Sequence, residues 1–186
     1  MLFQKLRRKK ILKKIEAFRQ LEGWLTDSEA LGLFEMAASL GEKASIVEIG
    51  SWQGKSSYCL VSGLKSGLLY AIDPFNGDAG EDLASKKEYE EKKEGRDLEG
   101  IFLHNMKRLG VMRKIKMHKG YSKDFHHQFT EIDALFIDGD HSYAGCSNDF
   151  HLYAHKIIGG GFLAFHDYYP ERKELGPTRV IQEQVM

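Results

Sequence analysis

Short apolar runs, each followed by a glycine turn or a polar cluster, alternate with helical patterns along most of this 186-residue chain. Buried strands are predicted at Ser45–Ile49, Leu68–Ile72, Lys114–His118, Ala134–Ile137 and Gly161–Phe165. Because helical segments connect these strands, the strands are expected to be parallel, with helices on both faces. The sequence therefore predicts a doubly wound α/β sheet with the strand order 3-2-1-4-5. Ligands of such sheets bind at the carboxyl ends of the strands.

Composition and charge predict one globular domain. Hydrophobic residues make up 42% of the chain and charged residues 29%, and the 27 basic residues balance the 27 acidic ones. The overall charge therefore gives no reason to expect nucleic acid as a partner. No run is long enough to span a membrane, and the basic start lacks the apolar segment of a signal peptide. Cys59 and Cys146 show no metal-binding spacing and predict reduced thiols in a cytoplasmic protein.

Two helices are predicted before the first strand. Apolar residues at helical spacing predict a basic amphipathic helix over Leu2–Leu21, and a capping box formed by Thr26 and Glu29 predicts the start of a second one. We interpret residues 1–40 as an N-terminal helical extension and residues 41–186 as the main domain. The basic helix serves either as a docking or substrate-covering element or simply as a polar outer face. The charge-rich stretch Glu81–Arg96 predicts an exposed helix or a mobile cover.

A glycine turn follows the first predicted strand, in the sequence VEIGSWQGKSS. This turn departs from the dinucleotide fingerprint GxGxxG, because Ser51 stands where a second glycine would be. Its small residues allow backbone N–H groups to approach a ligand. Asp73 ends the second strand, where an acid can bind ribose hydroxyls. The two features together favour a nucleoside ligand, and the alternative for Asp73 is an ordinary turn residue before Pro74.

The fourth predicted strand ends in a cluster of titratable residues. Asp138, Asp140 and His141 lie within four positions, and Asp167 ends the neighbouring strand. Parallel pairing of the two strands would bring Asp138 and Asp167 side by side, an arrangement that suits an oxygen-ligated divalent cation. The alternative is a polar loop in which Asp140 caps the next helix.

These segments together resemble class I S-adenosylmethionine-dependent methyltransferases, and most closely the macrocin O-methyltransferase-like family (methyltransferase family 24 type). The segments that carry the resemblance are EGWLTDSEA, VEIGSWQGKSS, AIDPF, FIDGDHSY and GGGFLAFHDY. The resemblance extends over about Glu22 to Val185 and implies a Rossmann-like methyltransferase fold. It also implies methyl transfer from S-adenosylmethionine to a hydroxyl of a small molecule, of the sugar or natural-product type.

The resemblance further implies roles for individual residues. The cofactor would be bound by residues at the ends of the strands, namely Glu48, Gly50, Ser51, Gly54, Ser56, Asp73, Tyr121, Ser122 and Asp138. Within this set, Glu48, Gly50 and Ser51 would surround the methionine part, Asp73 would hold the ribose, and Tyr121 and Ser122 would lie near the adenine.

The resemblance to the related catechol-type enzymes implies a metal and a base. Asp138 and Asp167 would bind Mg²⁺ or another divalent cation, and His141 stands where those enzymes carry a lysine base. Asp138 and His141 are therefore the predicted catalytic residues. Tyr168 stands where the third metal ligand of those enzymes is an asparagine, which is a departure from their pattern.

A second departure concerns the end of the chain. Class I methyltransferases normally finish with two further strands, whereas this sequence stops in the helix after the fifth strand. We therefore expect a fold that lacks the last two strands, with the fifth strand at the edge of the sheet. The alternatives to a methyltransferase are an NAD-dependent oxidoreductase of Rossmann type and a non-catalytic cofactor-binding domain. The sequence identifies neither the acceptor nor the oligomeric state.

Overall fold

The computed structural model of the protein describes residues 2–77, 87, 89, 91–93 and 95–186, and its centre is one parallel sheet. The strands are β1 (Ala44–Ile49), β2 (Gly67–Asp73), β3 (Ile115–Lys119), β4 (Ile132–Ile137) and β5 (Ile157–Phe165). They are arranged in the order β3-β2-β1-β4-β5, and every neighbouring pair is parallel. The predicted α/β class and strand order are confirmed.

Helices surround the sheet and precede or connect its strands. They are α1 (Leu2–Lys14), α2 (Asp27–Ser39), α3 (Lys55–Gly63), α4 (Leu98–Arg108), α5 (Ser122–Phe125), α6 (Tyr143–Tyr153) and α7 (Gly176–Val180). Most of the predicted stretch Glu81–Arg96 lies outside the described residues; of its described positions, 87, 89 and 91–93 are helical, whereas 95 and 96 are not. Among the described residues, no helix combines the length and the apolar character that a membrane crossing would require.

The N-terminal segment is not the single helix that its periodicity predicts. The α-helix ends at Lys14, and a short 3₁₀ turn over Glu16–Gln20 follows. This change of direction accompanies the burial of Ile15, Phe18 and Leu21 in the core. The predicted capping box is present, because the Thr26 hydroxyl accepts the Glu29 N–H at 3.3 Å and the Thr26 N–H donates to Glu29 at 2.7 Å.

Apolar clusters cover both faces of the sheet. Residues of α2, α3 and α4 share one cluster with Ile15, Phe18 and Leu21, whereas α6 and α7 pack with the opposite face. Cys59 and Cys146 are free and buried in these two clusters. The division of the chain into residues 1–40 and 41–186 stays a prediction.

The strand β5 starts earlier than its sequence predicts. It begins at Ile157 rather than at Gly161, and Gly159–Gly161 form an irregularity inside the strand. Ile132 pairs with Ile157, but Ala134, only two positions later, pairs with Phe162. Gly160 adopts a positive φ of 83° there, a conformation that glycine adopts without steric cost. The extra residues bulge out of the ladder, and regular pairing then continues from Ala134 and Phe162 to the carboxyl end of the strand.

Candidate active site

A cavity of about 720 Å³ opens at the carboxyl edge of the sheet. Residues that follow β1, β2, β3, β4 and β5 all line it, together with the segment that precedes α2. This position is where open α/β sheets bind their ligands, and the volume suits a cofactor-sized molecule. The predicted site residues that line the cavity are Gly50, Ser51, Ser56, Asp73, Tyr121, Ser122, Asp138, His141 and Asp167.

The glycine turn after β1 depends on Gly50. Its φ is +88°, and a Cβ at this position would lie 2.0 Å from the carbonyl oxygen of Asp138. A side chain would therefore separate the ends of β1 and β4, whose backbones are joined by the Asp138 N–H donating to Ile49. Gly54, with φ +90°, precedes α3 and would collide with the side chain of Met106 if it carried a Cβ. Both glycines are required by the fold before any ligand is considered.

Asp73 is a clamp on this turn. One carboxylate oxygen accepts the N–H groups of Ser51 and Trp52, both at 2.8 Å, and the other accepts the N–H of Phe75 at 2.6 Å. Burial raises the pKa of the Asp73 carboxyl, although these three donors favour its charged form. Because Oδ1 accepts only one of these bonds, it retains a lone pair, and Asp73 is one of the residues that line the cavity. Asp73 thus bonds the turn after β1 as well as the residue after Pro74, which an ordinary turn residue before Pro74 would not do.

Glu48 lies beneath the turn and is fully buried. Its Oε2 accepts the hydroxyls of Ser51, at 2.9 Å, and Ser57. Its Oε1 has no hydrogen-bond partner among the described residues. Burial raises the pKa of Glu48 to about 7, although the neighbouring serine hydroxyls favour the carboxylate. Glu48 therefore has one free acceptor at the base of the turn.

The loop after β3 supplies the other end of the cavity. Ser122 is buried and its hydroxyl donates to Oδ1 of Asp149 on α6, while the half-exposed Tyr121 accepts a bond from Asn76 at 3.1 Å. Burial raises the pKa of Asp149 to about 7, and the nearby Asp140 charge adds to the effect. A buried carboxyl that the sequence does not single out thus lies beside the predicted adenine region.

The titratable cluster lies at the ends of β4 and β5. Single ligand atoms of Asp138, His141 and Asp167 lie within 4.8 Å of one another. The Nε2 of His141 is 3.7 Å from Asp138 and 3.4 Å from Asp167, which are ion-pair distances rather than hydrogen bonds. His166 joins the same cluster, because its Nδ1 lies 3.3 Å from Asp138 and 3.0 Å from Asp167. The two carboxylates therefore face two imidazoles.

These neighbours shift one another's protonation. Burial disfavours the imidazolium of His166, yet the carboxylates of Asp138 and Asp167 outweigh burial and raise its pKa to about 11. The same balance raises the pKa of His141. Burial alone would raise the pKa of Asp138, but the two histidines outweigh it and lower that pKa. The cluster is a pair of carboxylates stabilised by positive charge. Asp167 adopts a left-handed φ of +57°, which directs it into this group.

The reading of Asp140 as the cap of the next helix is wrong. The N-cap of α6 is Ser142, whose hydroxyl accepts the N–H of Gly145 at 3.0 Å. Asp140 instead accepts the N–H of Ser142 at 2.8 Å and shapes the loop. Tyr168 lies outside the cavity lining, and its hydroxyl is 3.8 Å from the sulfur of Met186. The third donor of the cluster is therefore His141 and not the residue after Asp167.

Trp24, Trp52 and Tyr89 form a cluster of aromatic rings in the lining of the same cavity. Tyr89 lies 4.5 Å from Trp24 and 5.1 Å from Trp52 between ring centroids, and 6.4 Å from the ring of His141. The rings come from three separate segments of the chain, so no local pattern identifies them. Local sequence patterns do not identify His166 and Asp149 either, because what distinguishes them is their burial beside other acids and imidazoles. The adjacency of His166 to Asp167 is the one signal that the sequence offers.

Comparisons with known proteins agree with this geometry. A curated protein of Acanthamoeba polyphaga mimivirus, named as an uncharacterized protein, is 30% identical in an alignment of 148 positions that covers 75% of this chain. This chain spans only 59% of that relative's length. An O-methyltransferase of Streptomyces achromogenes involved in tomaymycin synthesis, solved in complex with SAM, has a TM-score of 0.62 at 16% identity, covering 94% of this chain and 77% of its own.

A SAM-dependent O-methyltransferase of Thermotoga maritima has a TM-score of 0.63 at 15% identity, covering 91% of this chain and 55% of its own. Identities this low show a shared fold. The family match is more specific, since the pattern described as a methyltransferase domain fits residues 47–168, which include the glycine turn, Asp73 and the Asp138–Asp167 cluster. With more than half of its length matched, the chain belongs to the methyltransferase domain family.

Proposed function

We propose that the chain binds S-adenosylmethionine in the cavity at the carboxyl edge of the sheet and transfers its methyl group to a hydroxyl of a small molecule. One observation carries the proposal: a single cavity joins the Gly50–Asp73 turn, which suits a nucleoside, to the Asp138–His141–Asp167 cluster, which suits proton removal. The family membership and the likeness to O-methyltransferase structures support it. A sugar or natural-product acceptor and a cytoplasmic setting belong to the same proposal.

Free polar atoms support the placement of the cofactor. The Oε1 of Glu48, which has no hydrogen-bond partner among the described residues, would accept a bond from the ammonium group of the methionine part. The remaining lone pair of Asp73 would accept a ribose hydroxyl. Tyr121 and Ser122 lie on the β3 side of the cavity, where the adenine would be held. Gly54 and Ser56 would contribute indirectly, by starting α3 and by flanking Glu48.

The reaction requires alignment and removal of one proton. Bound S-adenosylmethionine supplies an electrophilic methyl group on a sulfonium. The cavity walls would hold the acceptor oxygen in line with that group, which lowers the entropic cost of the displacement. His141 would accept the proton of the acceptor hydroxyl, and the carboxylates of Asp138 and Asp167 would stabilise the resulting imidazolium. The products are the methyl ether, S-adenosylhomocysteine and a proton.

The donors in the cluster also fit a divalent cation. Asp138, His141 and Asp167 each offer one ligand atom, and all three atoms lie within 4.8 Å. Two carboxylates and an imidazole are a suitable set for Mn²⁺ or a similar ion. A cation held there would lower the pKa of the acceptor hydroxyl and orient it. The positive charge of His166 beside both carboxylates is the alternative to such an ion, and in that version His141 acts as the base without a metal.

Removal of one carboxylate tests the metal-assisted version. We expect Asp138→Asn to abolish Mn²⁺ binding, followed by the paramagnetic resonance of free Mn²⁺, because it removes a charged ligand. The matched control is Asp140→Asn, because Asp140 accepts the N–H of Ser142 and is not one of the three clustered ligands, so that its replacement should leave Mn²⁺ binding intact. If the wild-type protein binds no Mn²⁺ and a chelator leaves turnover unchanged, the metal-free version is preferred.

Ligand binding separates the proposed function from its alternatives. Calorimetric titration with S-adenosylmethionine, S-adenosylhomocysteine and NAD distinguishes a methyltransferase site from an oxidoreductase site. Binding of the first two without NAD is the expected result, and binding of NAD alone would overturn the proposal. A methyl-transfer assay then separates an enzyme from a non-catalytic cofactor-binding domain.

Asp73 gives a sharper test of the nucleoside site. We expect Asp73→Asn to weaken binding of S-adenosylhomocysteine by about 2 kcal/mol, because it replaces a charge-assisted acceptor. Since Asp73 also clamps the turn, loss of affinity alone does not identify a ribose contact. The 2′-deoxy analogue resolves this point: it should bind wild type more weakly but lose little further affinity in the variant.

The control for this cycle is Asp133→Asn. Asp133 accepts the N–H of Ser45 at the opposite end of the sheet, so its replacement should leave the affinity for both nucleosides unchanged. Equal, additive losses for the two ligands in Asp73→Asn would assign Asp73 to the turn only.

A further inference from the structure

The outward face of α1 has a composition that the methyltransferase site does not explain. The helix contains seven basic residues and no acidic one. All seven are exposed, and within the described residues only Arg7 has an acidic partner, Glu35 at 3.6 Å. Because seven of the 27 basic residues are concentrated here, the rest of this neutral chain carries a net negative charge. The helix is a positive patch on an otherwise acidic protein.

Two large apolar side chains lie within this patch. Phe3 is 89% exposed and Leu6 is 56% exposed. Together with Lys10 and Lys13 they recur at three- and four-residue spacing, so they share one face of the helix. Ile11 packs against the core, and it lies five residues after Leu6, which is about 140° around the helix, so it faces away from Leu6. The helix thus uses one face for the core and presents a second apolar face to solvent.

The geometry points to the surface of an anionic phospholipid membrane as the partner of the α1 face formed by Phe3, Leu6, Lys9, Lys10 and Lys13. An interfacial helix places lysines at anionic head groups and inserts apolar side chains at the boundary with the acyl chains. The two apolar side chains lie at the start of this face, and the three lysines follow them along the helix. The acidic remainder of the chain would be repelled by the same surface, which orients the protein with α1 toward it.

Nucleic acid fits the face less well. Its phosphates would satisfy the lysines, but Phe3 and Leu6 would lie between charged groups with nothing to bury them. The net charge of the chain also provides no wider basic surface for a nucleic-acid backbone. The membrane therefore accounts for both the charged and the apolar residues, whereas nucleic acid accounts only for the charged ones.

Co-sedimentation with vesicles tests the inference without requiring enzymatic activity. We expect the full chain to pellet with vesicles of phosphatidylcholine mixed with phosphatidylserine, to remain in solution with phosphatidylcholine alone, and to be released by salt. The triple variant Lys9→Gln/Lys10→Gln/Lys13→Gln should bind roughly 100-fold more weakly. Phe3→Ser/Leu6→Ser keeps every charge and should bind roughly 10-fold more weakly, because it removes the inserted side chains.

The matched control removes the same charge elsewhere. Lys107, Arg113 and Lys173 are exposed and lie outside α1, so their replacement by glutamine should leave vesicle binding unchanged. Melting curves of all variants check that the fold is retained. The proposal is overturned if wild type ignores phosphatidylserine vesicles or if the control variant loses as much binding as the α1 variant. It is also overturned if an RNA oligonucleotide binds more tightly than the vesicles and the Phe3/Leu6 variant retains wild-type affinity for it.

Discussion

Replacement of His141 by alanine should lower kcat by about 10²–10⁴-fold, which is the usual contribution of a general base. The imidazole lies in the cavity, between the carboxylates of Asp138 and Asp167, where a proton taken from an acceptor hydroxyl would be stabilised. Affinity for S-adenosylhomocysteine should change only a few-fold, because no proton is transferred in that complex. Single-turnover kinetics together with calorimetry measures the two quantities separately.

Two further variants test whether the loss of kcat is due to the loss of the base. His141→Gln retains a polar side chain but cannot accept the proton, and should be nearly as slow as the alanine variant. His127 is an exposed histidine outside the cavity lining, so His127→Ala should retain full activity. Since Ser142 caps α6, a defect caused by replacing His141 would not reflect the loss of a helix cap. A stable and fully active His141→Ala protein would exclude the base role.

Replacement of Asp149 by asparagine should stabilise the protein at alkaline pH, by an amount on the order of 4 kcal/mol as an upper limit. The carboxyl group of Asp149 is buried, and burial raises its pKa from the ordinary value of 3.8 to about 7. At a pH between these two values, the Asp149 carboxyl is ionised in the unfolded chain but protonated in the folded one. The folded state therefore loses stability as the pH rises through this window, and the penalty is complete above about pH 7.

An amide carries no charge and still offers an oxygen to the Ser122 hydroxyl, so Asp149→Asn should remove this pH dependence. Urea unfolding at several values between pH 4 and pH 8 measures it, with the two proteins most similar at the acidic end. Ser122→Ala should have the opposite effect on stability. It removes a hydrogen bond to the carboxylate and should therefore lower the free energy of unfolding further at pH 8. Parallel pH curves for wild type and Asp149→Asn would contradict the assignment. Glu48, whose pKa is also raised to about 7, contributes the same pH dependence to both proteins, so it does not affect the difference between them.

The sequence by itself determined the framework, because the framework depends on local patterns. Apolar runs of strand length separated by helical segments predict the parallel sheet and its order. The Thr26–Glu29 pair predicts the start of α2, since both partners lie within one turn. The connectivity of the sheet brings strand ends to a common edge, and this is why Asp73, Asp138, His141 and Asp167 could be expected around one cavity.

Only the tertiary structure decided what these residues contact. The sequence presents Asp73 as an acid near a glycine turn, but its three bonds to backbone N–H groups depend on how β2 packs against the chain after β1. Asp149 has the sequence context of an ordinary helical residue, and it becomes a buried acid because α6 packs against the loop after β3. His166 becomes the partner of two carboxylates because Asp138 and Asp167 meet across neighbouring strands. Burial and contacts between residues distant in sequence determine these charges and bonds, and neither can be inferred from the neighbouring residues along the chain.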